Sequence, residues 1–137
     1  MNNGPILIVD DDKDDWEFLQ DAWKDLEFEN SLIFFNSGQP VLDYMKSGKA
    51  SPFLILCDVN IPRMDGFELK KRLSEDPSTR YKSIPFVFWS TAVSKSQTQK
   101  AYDLGGHGFF LKENSLPEIK NSLAEMVRYW LKSIVPE

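Results

Sequence analysis

Apolar positions along the chain come in two spacings. Short runs rich in branched and aromatic residues at 5–9, 32–35, 53–57, 84–89 and 109–111 are too short for helices and read as buried strands. Between them apolar residues recur in steps of three and four. Trp16, Leu19, Trp23 and Leu26 describe one face of a helix opening at Asp14, and Leu69 and Leu73 mark another. Leu116, Ile119, Leu123, Met126 or Val127, and Trp130 describe the buried face of the last helix. Ser37-Gly38-Gln39-Pro40 turns into a helix ending near Lys46, where Gly48 suits a left-handed cap. The pairs Asp65 with Glu68, Ser94 with Gln97, and Ser115 with Glu118 have capping-box spacing and start three helices. The helix over 94–104 is mostly polar, with Ala101, Leu104 and Tyr102 as its packing residues, and 75–83 is a polar connection.

Five strands alternating with five helices predict an α/β fold, a doubly wound parallel sheet with helices on both faces, because parallel crossovers are right-handed and helix-sized. The alternation leaves the strand order open. In open parallel sheets ligands bind at the carboxyl ends of the strands, and here those ends are polar. Val9 runs into Asp10-Asp11-Asp12, Cys57 into Asp58, Trp89 into Ser90-Thr91, and Leu111 into Lys112. Carboxylates gathered at one rim repel by about 4 kcal/mol per pair at 4 Å separation and an effective dielectric near 20. A hard divalent cation with oxygen ligands would compensate, and Mg²⁺ suits a site where one or two carboxylates bind and waters complete the shell. The only His and the only Cys are not grouped with these acids, which disfavours nitrogen and thiolate metals. Asp12, Asp14 and Asp15 read as a solvated acidic start to the first helix, favourable at the positive end of its dipole.

These motifs resemble the receiver domain of two-component response regulators over nearly the whole chain. The resemblance rests on Ile8-Val9-Asp10-Asp11, on Asp58 with Asn60-Ile61-Pro62-Arg63-Met64-Asp65-Gly66, on Ile84-Pro85 followed by Ser90-Thr91, and on Phe109 to Lys112. It implies the flavodoxin-like strand order 2-1-3-4-5 and one receiver domain over 1–137, with a core of about 5–131. It also implies that Asp58 is the phosphoacceptor and that Asp10, Asp11, Asp58 and the backbone carbonyl of Asn60 hold Mg²⁺. Lys112, 22 residues after Ser90, then pairs with the phosphoryl group, while Ser90 and Phe109 form the switch. The implied phosphodonor is a histidine kinase or a histidine phosphotransfer protein. The implied output is a protein contact on the fourth helix, fifth strand and last helix, with a relay histidine protein or self-association as further readouts. Such a protein is not an enzyme beyond promoting its own phosphotransfer and autodephosphorylation. One departure stands out: Lys112 is followed by Glu113 where the family usually has a proline in a cis peptide.

Two other readings compete. A receiver-like module binding partners without phosphorylation would lack part of the acid, hydroxyl and amine set, all of which is present. A haloacid-dehalogenase-type phosphatase would use Asp10 and Asp12, but Asp14 stands where that chemistry wants Thr or Val. A calcium loop from Asp10 fails because Asp15 occupies its glycine position and Asp21 its glutamate position. His107 reads as a turn or strand-edge residue rather than a relay histidine.

Composition narrows the partners. At 137 residues the chain suits one domain. A net charge of −5 without a basic stripe argues against direct nucleic-acid binding. No apolar run is long enough to cross a bilayer, and the amino terminus lacks the features of a secretory signal, so cytoplasmic residence is expected. Cys57 is the sole cysteine, excluding an internal disulfide.

Overall fold

Ile6 to Val9 are at most 1% exposed, so this run is covered on both faces, as a central strand of a parallel sheet must be. The computed structural model describes residues 3–49, 51–77 and 84–135. Its elements are β1 (Ile6–Val9), α1 (Lys13–Lys24), β2 (Leu32–Phe35), α2 (Gly38–Lys46), β3 (Leu54–Asp58), α3 (Gly66–Glu75), β4 (Phe86–Ser90), α4 (Lys95–Asp103), β5 (Gly108–Leu111) and α5 (Leu116–Lys132). The sheet is parallel with order β2-β1-β3-β4-β5. The order implied by the family resemblance is the one observed.

Strand alternation sorts the core into two layers. Leu7, Val9, Ile55, Cys57, Phe86 and Phe88 face α2, α3 and α4, meeting Val41, Leu42, Leu69, Leu73 and Ala101. Ile6, Ile8, Leu54, Leu56, Val87 and Trp89 face α1 and α5, meeting Leu19, Ala22, Ile119, Leu123, Met126 and Val127. Both Met126 and Val127 are buried, so the last helix resolves its alternative by using both.

The three predicted caps form. Asp65 accepts from the Glu68 N–H at 2.9 Å, Ser94 from Gln97 at 3.1 Å, and Ser115 from Glu118 at 3.3 Å. Gly48 closes α2 at φ +76°, the conformation an L side chain resists. Two strands end later than the apolar runs suggested. β3 extends through Asp58 and β4 covers Phe86–Ser90 rather than 84–89, because ladder pairing reaches the polar residue, with Asp58 opposite Trp89 and Ser90 opposite Leu111. The connection expected over 75–83 lies largely outside the described residues. In α4 only Ala101 is buried, and Tyr102, expected to help pack it, is 58% exposed.

Candidate functional site

Parallel register places the carboxyl ends of β1, β3, β4 and β5 side by side, so Asp10, Asp58, Ser90 and Lys112 share one rim. Each is locked from the backbone. Asp10 donates its N–H to the Phe35 carbonyl at 2.9 Å, and its own carbonyl accepts the Trp16 indole N–H at 2.7 Å. Lys112 donates its N–H to the Ser90 carbonyl at 2.8 Å. After Asp58 the chain turns back sharply, and Gly66 packs against it: a Cβ there would lie 2.6 Å from the Asp58 carbonyl oxygen. Only glycine permits that approach. Arg63 sits within this turn at φ 69°, a left-handed conformation uncommon for a residue with a side chain.

The side chains converge on the Lys112 ammonium. Its Nζ lies 2.5 Å from Asp58 Oδ2, 2.7 Å from Asp15 Oδ2 and 2.8 Å from Asp10 Oδ2. The Lys112 and Asp58 side chains are about nine-tenths buried and Asp10 is wholly so. Burial opposes the charge on Lys112, but its bonds to Asp10, Asp15 and Asp58 outweigh that and hold its pKa above the ordinary lysine value. Burial also lifts Asp10, to about 7, against the lowering influence of Lys112 and the Asp12 N–H.

The remaining oxygens are partly engaged. Asp58 Oδ1 accepts the Asn60 N–H at 2.8 Å and Asp10 Oδ1 the Asp12 N–H at 2.9 Å. Asp10 Oδ2, although close to the ammonium, accepts no directional hydrogen bond among the described residues. Carboxylate oxygens of Asp10, Asp15 and Asp58 lie within 4.8 Å of one another. One ammonium against three carboxylates leaves negative charge uncompensated, and the donors are all oxygen. Such a set fits a hard divalent cation.

The grouping differs from the sequence expectation at two acids. Asp11 is exposed and stands outside the cluster, whereas Asp15, expected to be merely a solvated helix starter, is turned onto Lys112. The cause is helix geometry. Asp12 caps α1 by accepting the Asp14 N–H, which sets the phase so that Asp15, Leu19 and Ala22 fall on the inner stripe. That i, i+4, i+7 spacing was the available signal. Asn60 is exposed beside Asp58, and Ser90 is wholly buried with its hydroxyl accepting the Ala92 N–H at 3.3 Å. Phe109 is half-buried, its ring 6.3 Å from that of Phe88. The Lys112–Glu113 peptide is trans. His107 is a strand-edge residue, as expected: its Nδ1 accepts the Phe86 N–H at 3.0 Å, and burial keeps its pKa below the usual histidine value.

Comparison with known proteins identifies the fold and the family. The model of the response regulator receiver domain family matches residues 6–124. The probable methanogenesis regulatory protein FilR2 of Methanothrix harundinacea is 27% identical over 130 residues, covering 92% of this chain and 83% of its own. Response regulator Rcp1 of Synechocystis is 25% identical over 134 residues, covering 94% of this chain and 90% of its own. The crystal structure of the phosphorylated cyanobacterial phytochrome response regulator RcpA superposes with a TM-score of 0.86 at 25% identity, covering 98% of this chain and 99% of that one.

Proposed function

Because the chain belongs to the response regulator receiver domain family, we propose that it is a phosphoacceptor switch of a two-component system, with Asp58 taking a phosphoryl group from a phosphohistidine of a histidine kinase or phosphotransfer protein. In that step the phosphorus–nitrogen bond breaks, a phosphorus–oxygen bond forms to a carboxylate oxygen of Asp58, and the imidazole leaves. The observation that carries this reading is the Asp58–Lys112 pair with Asp10 buried beside it. Lys112, already on Asp58 Oδ2, would pair with a phosphoryl oxygen and offset the charge arriving there.

Mg²⁺ suits the oxygen-only donors and the excess of three carboxylates over one ammonium. Asp10, Asp58 and the Asn60 carbonyl would hold it, with Asp11 turning in from its exposed position outside the cluster, and when bound it would neutralise phosphoryl charge. Ser90 would then turn its hydroxyl from the Ala92 N–H to a phosphoryl oxygen, drawing its loop inward while Phe109 repacks.

The output surface in this reading is α4, β5 and α5, where Tyr102 and Tyr129 are 58% and 63% exposed beside a groove of about 460 Å³. It would meet a downstream protein or a second copy of the chain, in the cytoplasm. No helix among the described residues is long and apolar enough to cross a membrane. Incubation with acetyl phosphate and Mg²⁺, followed by intact mass, should add one phosphoryl group to the wild type and none to Asp58→Asn. No gain in either protein would favour a module that binds partners without phosphorylation.

A further inference from the structure

The floor of the rim is an indole. Trp89, on β4 opposite Asp58, is 4% exposed, and the Lys112 Nζ lies 5.1 Å above its ring centroid. The ammonium thus has carboxylates on its sides and a π face beneath. Trp89 also carries a cost: its buried Nε1–H has no acceptor among the described residues, and a buried donor left unmade is unfavourable. A phenyl ring would fill most of that space without the orphaned donor. What indole adds is the strongest π attraction for a cation among the aromatic side chains.

We propose that Trp89 is a positioning residue, holding the Lys112 ammonium at the height where it meets Asp58 and, by the reading above on which this rests, the incoming phosphoryl group. Three carboxylates compete for one ammonium, and two of them, Asp10 and Asp15, lie on the β1–α1 side. Hydrogen bonds hold the ammonium to Asp58 and to Asp15, and Asp10 lies about as close, so the acids pull it towards both sides of the rim. The ring adds an attraction from beneath, effective while the ammonium stays over its face within about 6 Å of the centroid. Lys112 is anchored at both ends in this way, its backbone on Ser90 and its charge on Trp89, two neighbours in one strand. Glu113, unlike a cis-proline, adds no rigid tether after it.

The test is Trp89→Phe together with Trp89→Leu. Removing the orphaned donor should leave the stability of Trp89→Phe equal to or above wild type, while phosphorylation of Asp58 by acetyl phosphate slows by about three- to tenfold, and further in Trp89→Leu. A purely structural role predicts the opposite coupling, with rate falling only as stability falls. In a Lys112→Ala background the Trp89→Phe effect on rate should vanish. An independent readout needs no phosphorylation: the ε-methylene protons of Lys112 should resonate upfield by ring current in the wild type and return to ordinary positions in Trp89→Leu. Ordinary Lys112 shifts in the wild type, or an unchanged phosphorylation rate in Trp89→Phe, overturn the proposal. A wild type that shows the ring-current shift but takes up no phosphate overturns the phosphoacceptor reading and leaves the Trp89–Lys112 contact standing.

Discussion

The two sides of β4 are built to different standards. At its carboxyl end, the three charged rim side chains are each fixed by at least two contacts: Asp10 by Asp12 and Lys112, Asp58 by Asn60 and Lys112, and Lys112 by three acids and an indole. Along the α4 and β5 flank, α4 buries one residue and β5 is only partly covered, with Leu111 49% exposed. Groups that must be placed within a fraction of an ångström need redundant constraints. Elements that change position are drawn from those with few buried contacts. Under the proposed function, that division would put chemistry at the rim and movement on the flank.

Removing the rim's cation would test that division most severely. Lys112→Ala leaves Asp10, Asp15 and Asp58 facing one another, and phosphorylation should fall by about 100-fold or more, as measured by phosphoryl incorporation. A fall of less than threefold would mean the rim is not where charge is managed. Next comes the core joining the two regions. Phe88 is wholly buried and touches the rings of Phe67, Phe86 and Phe109. Phe88→Ala should cost about 3–5 kcal/mol in denaturant unfolding. A cost near zero would contradict a shared core beneath both regions.

The charge on the rim also gives a pH dependence. Burial raises the Asp10 carboxyl from 3.8 to about 7, so between those values the folded chain binds more protons than the unfolded one. Stability should fall as pH rises through that window, at most about 1.4 kcal/mol per pH unit from this group. The slope should flatten in Asp10→Asn. A rising slope traced to Asp10 would contradict its buried setting. The smallest effect belongs to the flank: Tyr102→Ala should change stability by within about 0.5 kcal/mol.

Much of this organisation was legible from sequence because it depends on periods and chain punctuation. Strand runs such as 6–9 need two covered faces, and capping pairs such as Ser115 with Glu118 announce helix starts whatever lies around them. The strand order needed the family resemblance, since pairing of β1 with β3 is a choice made between distant segments. Asp15 and Trp89 were missed as members of the site for the same reason. The helical phase that turns Asp15 inward is set by the Asp12 cap, and the register that puts Trp89 beneath Lys112 arises only when β4 and β5 pair. Asp11 shows the converse: adjacency to Asp10 in sequence did not bring it into the cluster, because successive residues at a strand end point in different directions.

The central claim, that these segments form one phosphoryl-accepting pocket, is tested most directly by a crystal structure with Mg²⁺ and beryllofluoride. The account predicts beryllium bonded to an Asp58 oxygen, with fluorides within hydrogen-bond distance of Lys112 Nζ and Ser90 Oγ. Beryllofluoride bound to another carboxylate, or an Asp58 left bare at saturating reagent with Lys112 still on Asp10 and Asp15, would contradict it.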